Sequence, residues 1–199
     1  MDLNPMTELD AVNMMLISIG QTPVNTLAVS GIRDVAIAST ILQNTSREVQ
    51  NQGWSFNSES DYEMVPDGSD NIIVPTAAFF IDPVYPTHNY VVRSNSGTLM
   101  LYDLTEKTFT ITVNPLLCDI VWFYDFDEIP QHARNYIAVR AARRFQAYSV
   151  GSQILHQYTS EDEKIALLLM KKVDARTSDR NMLNTGGWTD QIFHRRRNP

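Results

Sequence analysis

The stretch DFDEIPQHARNYIAVRAARRFQAY, residues 125–148, marks a change in the pattern of the sequence. It opens with acidic residues and a proline, and it continues as an apolar run that carries arginines. Residues 54–124 before it have the composition and alternation of β-strands, whereas the sequence before residue 54 and after residue 148 has helical periodicity. Within the stretch, apolar residues recur at spacings of four, four and three: Ile137, Ala141, Phe145 and Tyr148. The stretch therefore predicts a helix that follows a sheet.

Negative charge lies directly ahead of this predicted helix. Asp127 and Glu128 precede Pro130, a residue that is tolerated in a first helical turn because no partner is available there for an N–H. Carboxylates at this end interact favourably with the helix dipole. Together with Asp125 they could also form a metal site or an acid–base pair, but the spacing lacks the glycine and the distal glutamate of a calcium loop. We therefore interpret Asp127 and Glu128 as structural caps.

Two capping boxes predict the starts of the first and last helices. Thr7 and Asp10 form one box, with a hydroxyl and a carboxylate placed to satisfy two free N–H groups. Ser160 and Glu163 form the other, ahead of a helix that extends to about Ser178. Residues 152–158 could add a turn to this last helix. The two pairs predict helices at both ends of the chain.

A second helix is predicted to end near Gly53, and its apolar seam repeats at spacings of three and four: Val35, Ala38, Leu42, Thr45 and Val49. After it, turn clusters separate β-rich segments. The strand candidates are NIIVP (71–75), NYVVR (89–93), TLMLYDL (98–104), TFTITV (108–113) and LLCDIVWFY (116–124). Residues 76–88 are predicted to form a long exposed loop.

These patterns predict an α+β fold. An antiparallel bundle of about four helices is expected from residues 1–53 and 129–183, with an antiparallel β-sheet domain, residues 54–128, inserted between the second and third helices. Residues 184–199, with a glycine pair and a basic end, are predicted to form a C-terminal arm.

Composition narrows the classes of function. The chain has 199 residues, 43% of them hydrophobic and 20% charged, which is ordinary for a globular protein. Its net charge of −7 disfavours wrapping of nucleic acid around the body of the fold. Cys118, the single cysteine, lies in a strand-like run and is predicted to be a buried thiol. No run approaches the roughly twenty apolar residues that a membrane helix needs, and no secretion signal is visible, so we expect synthesis in a cytoplasm.

Motifs for catalysis and cofactors are weak. The histidines show no metal-ligand spacing, and no glycine-rich phosphate loop or nucleophile motif is present, so neither a metal nor another cofactor is predicted. Glu59, Asp61 and Glu63 alternate along a predicted strand and are expected to share a solvated face. A glycosidase needs two carboxyl groups at a defined separation. Cleavage of peptidoglycan or another polysaccharide is therefore kept as the alternative function.

Two groups of arginines are candidate interface residues. Arg140 and Arg143 lie opposite the apolar face of the helix within 125–148, either on a solvated face with ion pairs or on a surface that contacts a partner. The run Arg195, Arg196 and Arg197 could be a frayed tail, a weak DNA contact or a docking segment for an acidic protein surface. We favour docking, because aromatic and apolar anchors precede the run: Trp188, Ile192 and Phe193.

Several stretches together resemble the tail tubular protein A family, the head-to-tail adaptor of short-tailed bacteriophages. These are ELDAVNMMLISIGQTPVNTL (8–27), the second helix leading into NQGWSFN (51–57), YDFDEIP (124–130) with the arginine-rich helix, and the late NML (181–183). The resemblance covers nearly the whole chain in the same order. It implies a helical bundle with an inserted antiparallel sheet, in agreement with the pattern of the residues.

The resemblance also implies a structural, non-enzymatic role in the virion tail and neck. Members of the family form a twelve-subunit ring that binds the portal protein and extends the DNA channel, through which DNA passes without sequence-specific binding. They receive the nozzle, tail tubular protein B, and the tail fibres. An acidic channel wall would suit such a role, because it repels phosphates.

Overall fold

A computed structural model of the chain describes residues 4–28, 33–84, 89–149 and 153–182, with side chains left undescribed at 153–159 and 179–182. The helices are α1 (Glu8–Ser18), α2 (Arg33–Gln50), α3 (Gln131–Ser149) and α4 (Gln153–Met182). Five strands lie between α2 and α3 in the sequence: β1 (Ser58–Met64), β2 (Ala78–Pro83), β3 (Tyr90–Asn95), β4 (Thr98–Asp103) and β5 (Leu116–Trp122). The predicted α+β class, with antiparallel strands between the second and third helices, is confirmed.

Both ends of α1 follow from local sequence. The Thr7 Oγ1 atom accepts a hydrogen bond from the Asp10 N–H at 3.2 Å, and Asp10 Oδ2 accepts one from the Thr7 N–H at 2.9 Å. The backbone and then the hydroxyl of Thr7 donate to the Asp10 carboxylate, which lowers the pKa of Asp10. At the other end Gly20 has a φ of +78°, a conformation that glycine adopts at little cost. Its N–H donates to the Ile17 carbonyl at 3.0 Å, which closes the helix.

Helix α3 packs against both α1 and α4. Its buried face consists mainly of small and aromatic residues: Ala133, Tyr136, Ile137, Ala138, Ala141 and Phe145. Gln146 Nε2 also donates to the Ser18 carbonyl of α1 at 3.2 Å. Tyr148, which the sequence places on the same apolar face, is 64% exposed because it lies in the last turn of the helix. The buried face of α3 therefore ends at Phe145 and Gln146.

The last helix starts upstream of its predicted cap at Ser160, as the alternative extension over residues 152–158 allowed. Helix α4 begins at Gln153, so Ser160 and Glu163 lie inside it and do not cap its N-terminus. The capping-box pattern therefore occurs here in the interior of a helix, because residues 153–159 extend the same helix upstream of Ser160. The carboxylate of Glu163 is used instead in a contact with α3.

The strands form a three-stranded sheet in the order β1–β5–β2 and a two-stranded sheet of β3 and β4, all antiparallel. Ser96 and Gly97, both with positive φ, form the tight turn of the β3–β4 hairpin. A cluster of buried apolar residues lies among these strands: Met64, Ile72, Val74, Leu101, Ile111, Leu116, Cys118 and Ile120. Burial of this cluster is the main source of stability in this part of the chain.

One predicted loop and two predicted strands need correction. The segment predicted as a loop at 76–88 contains β2, which pairs with β5 from Ala78 to Pro83. Residues 71–75 and 108–113, predicted as strands, form only isolated bridges, for example Ile73 with Met100 and Asp103 with Thr108. The reason is that pairing depends on a partner strand at the right place, which a single segment does not reveal.

The chain divides into two compact units, Met1–Thr45 with Ile129–Pro199, and Ser46–Glu128. The first division falls inside α2, at Thr45 and Ser46. The second falls between Glu128 and Ile129, just before α3. The last turn of α2 therefore belongs to the unit that holds the strands.

A buried amide organises the entry into that strand-bearing unit. The Asn57 side chain is 1% exposed, and its Oδ1 accepts the Trp54 N–H at 2.8 Å. Its Nδ2 donates to the Gln50 carbonyl at 2.9 Å and to the Trp122 carbonyl at 2.7 Å. Gly53, with a φ of +71°, makes the turn between these groups. One side chain thus joins the end of α2, the following turn and the end of β5.

Replacing Asn57 with alanine is expected to lower the free energy of unfolding by about 2–4 kcal/mol, because two buried carbonyls and one N–H lose their partner. Thermal or urea unfolding measures the change. Asn51→Ala, at an exposed position six residues earlier, is the matched control and should stay within about 0.5 kcal/mol of the native chain. Equal effects of the two substitutions would contradict the role given to Asn57.

The thiol of Cys118 is expected to resist modification in the folded chain. Cys118 is fully buried, as predicted, and burial followed by the nearby Asp119 and Asp82 carboxylates raises its pKa to about 11. At pH 8 the thiolate is therefore scarce and inaccessible. A thiol reagent should label the native protein on the order of a hundred-fold more slowly than the urea-unfolded protein. Equal rates would show that this part of the chain opens readily.

Candidate interaction surfaces

The two arginines of α3 lie against α4. Arg143 Nε donates to Glu163 Oε2, and Arg140 Nε lies 3.8 Å from Glu163 Oε1. Arg140 Nη1 also donates to the Tyr136 hydroxyl at 2.9 Å, one turn earlier on α3. The side chains of Arg140 and Arg143 are 22% and 25% exposed, and that of Glu163 is 14% exposed. Of the two interpretations given to these arginines, ion pairing within the chain describes the observed contacts.

This pairing limits what Arg140 and Arg143 can offer to a partner. A guanidinium that already contacts a carboxylate brings less net charge to an interface, and freeing it would leave Glu163 partly buried without its partner. A role of Arg140 and Arg143 in a portal or neighbour interface stays a prediction. In the described residues their contacts fix the packing of α3 on α4.

The acidic turn before α3 is a local structure of its own. Glu128 Oε2 accepts a hydrogen bond from the Asp125 N–H at 3.3 Å, and the Glu128 N–H donates to the Asp125 carbonyl at 2.9 Å. The first turn of α3 contains no acidic residue. Glu128, predicted to cap α3 with Asp127, therefore closes the turn of residues 125–128. The Pro130 carbonyl accepts hydrogen bonds from the N–H groups of Ala133 at 2.9 Å and Arg134 at 3.1 Å, in the first turn of α3.

The carboxylates of β1 do not share one face, contrary to the prediction. Glu59 pairs with Ile120 and Glu63 with Leu117, two positions of β5 that point to opposite sides of the sheet. The register shifts between Glu59 and Tyr62 because Asp61 adopts a φ of +57° and adds a residue to the strand. A bulge of this kind reverses the face of every later residue, and the alternation in the sequence does not show it.

A surface cavity of about 220 Å³ collects three carboxylates on this sheet, from Glu59, Asp82 and Asp119. Asp82 and Asp119 are direct partners across β2 and β5. Glu59 Oε2 accepts from Trp122 Nε1 at 3.0 Å, and Asp119 Oδ1 accepts from the Asp61 N–H at 3.3 Å. The carboxylates of Glu59 and Asp119 accept hydrogen bonds from groups of the same sheet. These contacts do not single out an acid–base pair for the alternative function, cleavage of a polysaccharide.

The histidines give no metal centre in the described part of the chain, where no group of three or more His, Cys, Asp or Glu side chains is arranged to hold a metal ion. His132 lies in α3, where burial lowers the pKa of its imidazole and the nearby Asp174 carboxylate opposes that shift. Among the described helices none is long and apolar enough to cross a membrane. His88 and His194 lie outside the described residues.

The predicted anchors of the C-terminal arm also lie outside the described residues: Trp188, Ile192, Phe193, Arg195, Arg196 and Arg197. Their assignment to a portal or neighbour interface stays a prediction. The structure describes the surface of α4, the helix that precedes this arm in the sequence. Ile165, Leu168 and Leu169 of that helix are 56%, 66% and 53% exposed.

A buried cation, Arg134, was not singled out by the sequence. It is 6% exposed, its Nε donates to the Ile129 carbonyl at 2.6 Å, and its Nη1 donates to the Met6 carbonyl at 2.8 Å. The Met6 N–H in turn donates to Gln131 Oε1 at 2.7 Å. These bonds hold the segment before α1 against the start of α3. In the sequence, Arg134 looks like any other arginine of an arginine-rich helix.

Replacing Glu163 with glutamine should destabilise the packing of α3 on α4 by about 1–3 kcal/mol, since two partly buried guanidinium groups lose their counter-charge. Glu161→Gln, at an exposed position of the same helix, is the control and should change stability by less than about 0.5 kcal/mol. Thermal unfolding at low and moderate salt gives both values. A Glu163 effect no larger than that of the control would show that the ion pair does not hold the two helices.

Comparison with known proteins places this architecture in a family. Residues 9–180 match the family model described as tail tubular protein. The chain is also 25% identical over 168 residues to Tail tubular protein A of Klebsiella phage KP34, and the alignment covers 84% of this chain and 87% of that protein. The match extends from α1 almost to the end of α4, and it confirms the resemblance inferred from the sequence. The chain belongs to the tail tubular protein family and is a structural protein of a short-tailed phage virion.

Proposed function

We propose that this protein is the head-to-tail adaptor of the virion, a ring subunit that binds the portal, extends the DNA channel, and carries the nozzle and fibres. The observation that carries the proposal is the family match from residue 9 to residue 180, which spans the helices and the inserted strands in one order. A relative called Tail tubular protein A aligns over 87% of its own length. The likeness therefore concerns a whole protein and not a shared module.

A ring imposes a physical requirement on its subunit. Each copy presents two different complementary surfaces, and the head-to-tail contacts close only when the rotation between neighbours divides a full circle. Twelve copies are the expected number from the family resemblance. Exposed apolar side chains are available for such contacts on the strand-bearing unit, including Ile73, Phe80 and Leu99, which are 52%, 55% and 45% exposed.

Electrostatics supports passage of DNA without binding to it. The chain carries a net charge of −7, and α3 keeps Arg140 and Arg143 paired with Glu163. A dodecamer would therefore carry a large negative charge, which disfavours long contacts with the phosphate backbone. The basic run Arg195–Arg197 is the local exception in the sequence. We assign it, with Trp188 and Phe193, to an acidic surface of the portal protein.

Mixing the purified protein with purified portal rings is expected to add a layer of density below the portal in electron micrographs. Deletion of residues 186–199 should lower the occupancy of that layer at least ten-fold, because the aromatic anchors and the three arginines are removed together. Deletion of residues 198–199 alone, which spares the basic run, is the matched control.

Two results would contradict these assignments separately. A native chain that leaves portal rings undecorated at micromolar concentration would overturn the adaptor function. A chain lacking residues 186–199 that still decorates portals at native stoichiometry would leave the adaptor function in place and remove the arm from the interface.

A further inference from the structure

Helix α4 has an apolar face that nothing in the described chain covers. Ile165, Leu168 and Leu169 are each more than half exposed, and their spacings of three and four place them on one stripe. The side of the helix that packs inward is a different one, with Ala166 4% exposed and Met170 fully buried. A stripe of three large side chains in water favours any segment that can cover it.

Charged residues flank this stripe in a definite order. Glu161 and Asp162, both exposed, lie one turn before Ile165. Lys172, also exposed, lies one turn after Leu168. The exposed Lys164 lies one turn before Leu168, at the edge of the stripe, so the acidic end combines two carboxylates with one ammonium group. Read from Lys172 back towards the start of the helix, the face is therefore basic, then apolar, then net acidic.

The sequence that follows α4 has the complementary order. Helix α4 ends at Met182, and 17 residues follow it. Among them Asp190 comes first, then Ile192 and Phe193, and then Arg195–Arg197. Acidic, apolar and basic groups therefore succeed one another in the order that matches the face of α4 when the two segments run antiparallel.

We propose that, in the free protein, residues 188–197 bind the exposed face of α4 in the same chain. In this arrangement Ile192 and Phe193 cover Ile165, Leu168 and Leu169. Asp190 lies near Lys172, and the arginines lie near Glu161 and Asp162. Exposed ion pairs add little affinity, so they set the direction and register of the segment, and burial of the apolar stripe supplies the stabilisation.

The connecting chain is long enough for this contact. Ile165 lies 17 residues before Met182, about 26 Å along a helix that rises about 1.5 Å per residue. Phe193 lies 11 residues after Met182, and an extended chain of that length spans up to about 36 Å. The difference of about 10 Å leaves room for a reversal, for which Gly186 and Gly187 provide the conformational freedom.

The connecting chain, which acts as a tether, also favours binding of the segment to α4 of its own chain over binding to α4 of a second copy. A short connection holds the segment near its own α4 at an effective concentration on the order of millimolar, far above the concentration of a second copy in a dilute solution. The inference stands independently of portal binding, since it concerns the free chain. Its consequence for assembly is that a portal surface has to compete with α4 for the same aromatic and basic residues.

Disulfide trapping in the purified chain tests the contact. The double variant Leu168→Cys with Phe193→Cys should form an intramolecular disulfide under mild oxidation. Thr177→Cys with Phe193→Cys is the control, because Thr177 is exposed on the side of α4 opposite to Leu168 and lies nearer to Met182, so that the tether alone would favour it. We expect the first pair to react on the order of ten-fold faster than the control. The native Cys118 is buried, so it does not enter the exchange.

Charge reversal gives a second, independent readout. Arg195→Glu, Arg196→Glu and Arg197→Glu together should slow trapping of the first pair. Adding Glu161→Arg and Asp162→Arg to that chain should restore the rate. A rate that is unchanged by the first set, or not recovered with the second, would overturn the proposed register.

The remaining outcomes also decide the question. Equal trapping of the two cysteine pairs would show that the segment does not dock on the apolar stripe. If the mixed single variants Leu168→Cys and Phe193→Cys form their disulfide between chains as fast as the double variant forms its own, the contact would lie on a second copy, and the claim for one chain would be overturned. Both experiments omit portal, so their failure is separate from a failure of the adaptor function.

Discussion

The hydrogen bonds of Asn57 are the constraint on which the strand-bearing unit depends. A helix that ends beside a sheet leaves carbonyl groups that no regular element satisfies, and burial makes that deficit costly. Asn57 resolves it by donating to the carbonyls of Gln50 and Trp122 while accepting from Trp54. Gln50 adds a second link, because its amide group exchanges two hydrogen bonds with the backbone of Tyr124 at 2.9 Å each. The end of α2 and the end of β5 are thereby fixed within one unit.

Three arginines of α3 are held by contacts within the bundle. Arg134 lies buried against backbone carbonyls, and Arg140 and Arg143 contact Glu163. These contacts give the arginine-rich helix a structural purpose that does not need DNA. They also show that arginines can lie on a central helix of a chain with 16 basic and 23 acidic side chains without facing solvent. The run Arg195–Arg197 stands apart from this arrangement and is the part of the basic sequence for which we propose partners.

Local signals predicted well where a structure depends on neighbouring residues. The box of Thr7 and Asp10, the terminator Gly20 and the buried seam of α2 involve residues within one or two helical turns. Local sequence patterns gave wrong predictions where the structure of a segment depends on a partner that is distant in the sequence. Strand β2 exists because β5 lies beside it, and the carboxylates of β1 fall on both faces because Asp61 inserts a bulge against β5. Ser160 and Glu163 have the spacing of a cap, yet helix continues on both sides of them.

By itself, the sequence determined the order of the helices, the antiparallel insertion between the second and third of them, and the family, because periodicity, caps and short motifs are local properties of the chain. Tertiary structure alone decided the use of individual side chains in the stretch 125–148. There it assigned Glu128 to a turn with Asp125, Arg134 to buried backbone carbonyls, and Arg143 to Glu163. The physical reason is that a charge finds its partner in space, and Glu163 is 20 residues from Arg143 along the chain.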